Sequence, residues 1–436
     1  MLSSSIHSIL AATLLLIAVT PARAQDRLSG NWRGYWFRAG DSLAVTMKVQ
    51  RDSAGRYAVT FGSERLRVSG IPFAPVVVTG CCDVSLTLRG DRTTAVFTGT
   101  VRGDSLTGSF QEGSSQGSFA FVRMRSETQS YEERTVAFAN GAVSLAGTLL
   151  LPRAGRSLAA VVFAHGSGAE GRWASRFLAE QLASRGTAAL IFDKRGVGES
   201  TGDWRTASLE DLAGDVAAAI AMVQQQPRID PKRVGLHGHS QGGTLAPLIA
   251  TRAPGVAFVI ASAAAGPPTD SVEIFSILNS IYPRAATSAD SADARAYVHE
   301  LVRVAYHGDA RVRLDSLAQA FAGRPWFFAP PALNNGYWSF SRMFGAYRAL
   351  EWWARVQVPV LLVYGGADQR VPAAESAARI ANTLLHAGNG DVTVRIFPGA
   401  DHTFRLPPGP SDWPVTAPGY VAAILDFVRS RGTAGM

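Results

Sequence analysis

Apolar and polar residues alternate one by one through the first quarter of the chain. SLAVTMKV (42–49), RYAVTF (56–61), VSLTLRG (84–90) and TAVFTGTV (94–101) all keep a period of two. That period sends every second side chain to one face of a β-strand. Gly, Asp and Ser interrupt it about every ten residues, the spacing of turns in a small antiparallel barrel or sandwich. An all-β region is therefore predicted over residues 25–128. It ends in the charged run RMRSETQSYEER (123–134).

From Tyr131 the pattern changes. TVAFANGAVSLAGTLLLP (135–152) reads as two strands around Asn140-Gly141, a hairpin signal. Short apolar runs then alternate with segments of helical period. Strands are expected at 159–165, 187–193, 233–238 and 256–262, with helices over 173–185, 208–225 and after Gln241. The alternation pauses at 267–355 and resumes with VPVLLVYGGAD (358–368), VTVRIFPGADH (392–402) and a last helix over 416–431. Such βα alternation predicts an α/β fold over 129–436, a mostly parallel sheet with helices on both faces. Residues 267–355 read as a helical cap inserted at the sheet's C-terminal edge.

Composition changes this picture little. With 436 residues and 47% hydrophobic content the chain can bury a large core. The net charge of +8 comes without any block of like basic residues, which argues against a nucleic-acid partner. Residues 1–24 have the apolar core (Ile9–Val19) and the Ala22-Arg23-Ala24 ending of a signal peptide, so export to the periplasm or medium is expected. No later stretch is apolar enough to span a membrane. Cys81 and Cys82 are the only cysteines and are adjacent. Disulfide geometry favours well-separated Cα atoms, so two unbridged, half-buried thiols are expected. The oligomeric state is left open.

The chemistry concentrates at Gly238-His239-Ser240-Gln241-Gly242, a G-x-S-x-G between a strand and a helix. A serine hydroxyl needs a base, a group to orient that base, and donors for the oxyanion. The acid and the histidine should follow in that order at later strand ends. Asp368 and His402 stand there, with Asp401 competing as the acid. His237, His239, His299, His307 and His386 are the alternative bases. The oxyanion donors would be the N–H groups of Gln241 and of Ser167, in the His165-Gly166-Ser167-Gly168 loop. Asp193 and Arg195 of DKRGVGES (193–200) are read as loop braces. A rival motif overlaps this region. Gly166–Gly171 is a G-x-G-x-x-G, and Asp193 follows about twenty residues on, the fingerprint of a dinucleotide-binding oxidoreductase.

The elbow, the HGSG loop, DKRGVGES, GGADQRVP (365–372) and GADHTF (399–404) together resemble the α/β-hydrolase superfamily, nearest to capped esterases and serine-peptidase-like hydrolases. The resemblance covers about 131–432. It implies a Ser240–His402–Asp368 catalytic triad that works without metal or cofactor on a small ester, or alternatively on an amide or short peptide. Aromatics on irregular backbone in RPWFFAPPALNNGYWSFSRMF (324–344) suggest a substrate pocket wall, with Trp326 and Trp338 as candidates. The β region is expected to be a separate module with no part in the site.

Overall fold

The computed structural model describes residues 26–90, 93–125, 128–407 and 413–432. The expected signal peptide, residues 1–24, lies outside them.

The all-β region is one antiparallel sheet of β1 (Gly30–Arg38), β2 (Asp41–Arg51), β3 (Tyr57–Ser63), β4 (Val68–Phe73), β5 (Val76–Thr79), β6 (Asp83–Arg89), β7 (Thr94–Arg102), β8 (Ser105–Glu112) and β9 (Ser115–Arg123). The order is β4-β3-β2-β1-β9-β8-β7-β6-β5. Its two edge strands are consecutive in the chain, and the corner between them bonds to β6 through Ala74 N–H to Thr87 O (2.7 Å) and Thr87 N–H to Pro75 O (3.0 Å). The sheet thus rolls into a barrel. The period of two buries Leu43, Val45, Met47 and Val49 of β2, and the interior fills with Trp36, Phe61, Phe97, Phe110 and Phe119. At one end Trp32 donates its indole N–H to Leu28 O, with the Arg123 guanidinium 4.3 Å over its ring.

Two expectations for this region are corrected. Cys81 and Cys82, in the turn between β5 and β6, form a disulfide with Cα atoms 3.7 Å apart. The hairpin tip brings both side chains to the same side of the chain, which sequence spacing alone does not show. Nor is the barrel self-contained. Trp413, some 290 residues after the last barrel strand by number, is 5% exposed and belongs to the barrel core. Its ring lies 6.1 Å from Trp36 and 6.3 Å from Phe110, under the Arg38 guanidinium at 4.0 Å.

The second sheet comprises β10 (Tyr131–Asn140), β11 (Val143–Pro152), β12 (Leu158–Ala164), β13 (Ala188–Phe192), β14 (Ile229–His239), β15 (Val259–Ser262), β16 (Val360–Gly365) and β17 (Val392–Phe397). Its order is β10-β11-β13-β12-β14-β15-β16-β17. The first two strands are the antiparallel hairpin, and β12 to β17 run parallel. Strand β12 is buried along its whole length, as a strand covered on both faces must be. On one face, Ala160 and Val162 pack under α2 (Leu209–Gln224) and α3 (Gln241–Arg252), and the same core continues under α9 (Ala373–His386) beside β16 and β17, with helices of the insert alongside. On the other, Val161 and Phe163 pack under α1 (Arg176–Ala183) and α10 (Tyr420–Gly432). A reciprocal Ser208–Asp211 capping box starts α2. Between β15 and β16 lie α4 (Thr269–Ile281), α5 (Ser288–Val302), α6 (Val312–Phe321), α7 (Tyr337–Gly345) and α8 (Ala349–Trp353). Among the described residues no helix is long and apolar enough to cross a membrane.

Candidate active site

The elbow is built by close backbone crossings. Ser240 follows β14 at φ +56°, ψ −115°, a conformation side-chain-bearing residues rarely adopt, and α3 begins at the next residue. A Cβ on Gly238 would sit 2.3 Å from the Gly242 carbonyl, and one on Gly242 would sit 2.7 Å from His165 O. Neither position admits a side chain, so G-x-S-x-G here is a steric requirement. The Ser240 N–H is fixed to Ser262 O at 2.9 Å. Strain of this kind persists only where the surroundings enforce it, and it holds the hydroxyl clear of both strand and helix.

The ends of β14, β16 and β17 bring the three predicted residues together. His402 Nε2 is 3.0 Å from Ser240 Oγ, and His402 Nδ1 is 2.7 Å from Asp368 Oδ2. The other oxygen of Asp368 accepts the N–H groups of Arg370 (2.7 Å) and Val371 (2.9 Å), so the carboxylate is oriented by its own turn. Its side chain is fully buried. Asp401 is occupied elsewhere, accepting from Thr403 N–H, Thr403 Oγ1 and Arg405 N–H. Among the rival bases, His237 faces Ser262 Oγ at 3.1 Å inside the sheet, and burial holds its ring down to about 3. His239 lies under the site, with Nε2 3.0 Å from His402 O. Burial, then the neighbouring His402, hold it down to about 4. His307 pairs with Asp270 in the insert.

The HGSG loop is held from beneath by a residue that sequence reasoning passed over. Lys194 Nζ donates to Gly166 O (2.7 Å), Gly168 O (3.2 Å) and Gln241 Oε1 (3.1 Å), and lies 5.0 Å over the Trp204 ring. Three ammonium protons thus join the loop around Ser167 to the first residue of α3. Burial pushes Lys194 down to about 8, against the raising effect of Glu170 and Asp215. With the carbonyls on either side turned toward Lys194, Ser167 is left exposed. Among the described residues no hydrogen bond takes the N–H of Ser167 or of Gln241. The signal for Lys194 was a lysine two residues after a wholly apolar strand, where a charge needs a dedicated set of acceptors.

The rest of DKRGVGES braces the loop as expected. Asp193 accepts from Arg172 N–H, Nε and Nη2 and from Glu199 N–H. Arg195 grips Asp215 through two bonds of 2.7 and 2.6 Å. This removes the physical basis of the dinucleotide reading, because the acidic residue meant for a ribose is committed to an arginine. Gly166 N–H, meant for a pyrophosphate, is taken by Glu170 at 2.6 Å.

A family model described as serine aminopeptidase S33 matches residues 155–406, more than half of the chain. The chain belongs to this family. It is therefore a hydrolase with the α/β-hydrolase fold. The S33 match takes in the elbow, Asp368 and His402 and omits the barrel. Quorum-quenching protein AidA of Acinetobacter baumannii is 38% identical over 84 residues, 19% of this chain and 28% of that protein. Thiohydrolase aneE of Aspergillus aculeatus is 35% identical over 121 residues, 28% and 37%. The chain thus matches only about a third of the length of these relatives. Among solved structures, the Pyrococcus furiosus esterase Pf2001 covers 71% of this chain and 94% of itself at 17% identity and a TM-score of 0.44. Acetyl xylan esterase 1 of a Thermoanaerobacterium species covers 71% and 86% at 16% identity and 0.45.

The substrate-wall expectation is corrected for Trp326. Trp326 is fully enclosed in the insert's own core with Tyr297, Leu301 and Leu314, and its indole N–H reaches Asp290. Trp338 packs on the edge of that core, its N–H on Ala332 O and the Arg311 guanidinium 5.2 Å from its ring. Trp326 lies on irregular backbone, as expected, but points into the insert's core, whereas Trp338 stands on α7, a helical segment of nine residues.

Proposed function

We propose that this S33 hydrolase cleaves carboxylic esters through a Ser240–His402–Asp368 triad and an acyl-enzyme. The observation that carries the reading is the continuous chain from Ser240 Oγ through His402 to Asp368, at 3.0 and 2.7 Å, on a serine at φ +56°. His402 Nε2 removes the hydroxyl proton as Oγ attacks the acyl carbonyl. Asp368 holds the tautomer with the proton on Nδ1 and stabilises the imidazolium that forms. The N–H groups of Ser167 and Gln241 receive the oxyanion, the latter from the N-terminus of α3. His402 returns the proton to the departing alcohol. Water, activated the same way, then releases the acid.

Helices α4–α8 act as a cap over the site. The contacts in favour are Tyr347 Oη on Thr244 O, in the first turn after Ser240, and Asn279 Nδ2 on Gln369 O, beside Asp368. Export rests on the signal-type segment at residues 1–24, and the Cys81–Cys82 disulfide fits an oxidising compartment. Cleavage of an aminoacyl amide or short peptide is the second reading, favoured by the aminopeptidase description of the family. A panel of p-nitrophenyl esters of rising chain length beside aminoacyl anilides tests the choice. Ester turnover well above anilide turnover, lost in Ser240→Ala, is expected. Anilides as the better substrates would reverse the assignment.

A further inference from the structure

His402 sits near the start of a long segment between β17 and α10, residues 398–419, whose described residues include a two-residue ladder pairing Arg405–Leu406 with Val415–Thr416. A catalytic base on so irregular a stretch needs support from outside it. Part of that support comes from the catalytic sheet, through His239 Nε2 on His402 O (3.0 Å) and Ala367 N–H on Ala400 O (2.8 Å), and part comes from the barrel.

Arg67 lies in the turn between β3 and β4, at φ +52°, with its N–H on Glu64 O. A non-glycine residue in this region is uncommon, and such an outlier invites a functional question. Its guanidinium reaches the His402 segment at several points. Nη2 donates to Thr403 O, the carbonyl next to His402. Nε donates to Thr416 Oγ1 at 2.7 Å, on the other strand of the ladder. The group also lies 4.3 Å over the ring of Tyr420, which stacks on Phe404 at 4.0 Å. Thr416 Oγ1 in turn donates to Arg65 O. Farther along the same segment Trp413 is seated among Trp36 and Phe110 inside the barrel. The segment is thus pinned by the barrel beside His402 and again at Trp413.

We infer that the barrel is a working part of the active site, with Arg67 as a positioning residue that holds the His402 segment so that Nε2 meets Ser240. No Arg67 atom touches the reacting groups. It acts through the backbone at Thr403 and the ladder at Thr416. The inference rests on the triad reading given above, and it departs from the expectation of a barrel with no part in the site.

The test uses the full chain and p-nitrophenyl acetate. Arg67→Ala is expected to lower kcat about 10- to 100-fold, the penalty of a misplaced group. KM should stay within about twofold, because substrate contacts are untouched. Arg67→Lys keeps the charge but cannot bridge Thr403 and Thr416, so it should recover only part of the rate. The downfield proton resonance of the His402–Asp368 hydrogen bond should broaden in Arg67→Ala. Arg56→Ala, on the exposed β2–β3 turn, should match wild type in every readout. A folded Arg67→Ala with wild-type kcat and an unchanged downfield resonance overturns the inference. Should Arg67→Ala fail to fold, Thr416→Val removes the Nε acceptor together with the hydroxyl's bond to Arg65 O, both of them ties between barrel and ladder, and wild-type kcat there overturns it equally. Ser240→Ala separates the two levels. If it keeps turning over, the triad reading falls and takes this inference with it. If it is dead while Arg67→Ala is fully active, only this inference falls.

Discussion

Asp368 and His402 follow neighbouring parallel strands and are held in opposite ways. Asp368 stands in a short turn after β16, and N–H groups two and three residues further on fix its carboxylate. His402 stands in a long segment tied down by Arg67 and Trp413, through contacts with residues more than three hundred positions away. The acid is oriented locally and should tolerate damage to the barrel. On the inference above, the base depends in part on a second folded body and should not. The contrast also shows where a strand-end motif carries its own geometry and where it borrows geometry from elsewhere.

The sharpest way to break the contrast is to exchange the acids. Asp368→Asn should lower kcat by about 10³-fold or more, because the amide no longer holds the tautomer. Asp401→Asn, which loosens only a turn, should cost less than about tenfold by the same comparison of rates. Equal losses in steady-state assays would mean that the two carboxylates share the role.

Next in size are stability losses. Trp413→Ala opens the barrel end and Trp326→Ala hollows the insert's core, and each should cost about 3–5 kcal/mol in denaturant unfolding. The Trp326→Ala enzyme should keep the wild-type preference among acyl chain lengths. A changed preference with unchanged stability would restore Trp326 as a pocket wall.

A smaller effect belongs to Lys194. At about 8, its ammonium gives up a proton within the range of ordinary assays. The neutral amine has one donor fewer for Gly166 O, Gly168 O and Gln241 Oε1, so kcat should decline as the pH rises past about 8. Lys194→Gln should be slower, by about tenfold if a single oxyanion donor is partly misplaced, and flat over the same range. An identical alkaline decline in both proteins would assign it to another group.

The smallest concerns acid. Burial holds His237 to about 3 and His239 to about 4, below the ~6.5 of an unfolded chain. Between those values the unfolded chain binds protons that the folded chain refuses. The contribution to stability is therefore whole above pH ~6.5 and is lost as the pH falls through that window. Tm should drop from pH 6.5 to 4, and by less in His237→Gln. Parallel curves would show that His237 does not titrate there.

Much of this site was legible because its determinants are local. Gly238, Gly242 and Ser240 lie within five residues, and Asp368 carries its own turn. The parallel strands announced themselves as unbroken apolar runs. What escaped was long-range. Nothing near Trp413 marks it as a barrel residue, and nothing near Arg67 points to Thr403. Lys194 looked like one more loop charge because its acceptors come from the HGSG loop and α3. Trp326 looked like a pocket residue because its partners in the insert are joined only by folding.

The central claim is that Ser240 is the nucleophile, activated by His402. A fluorophosphonate probe followed by mass spectrometry of the digested protein tests it most directly. The account predicts one adduct, on the peptide carrying Ser240, formed by wild type, slowed in His402→Ala and absent from Ser240→Ala. An adduct on another residue, or labelling that persists in Ser240→Ala, would contradict it.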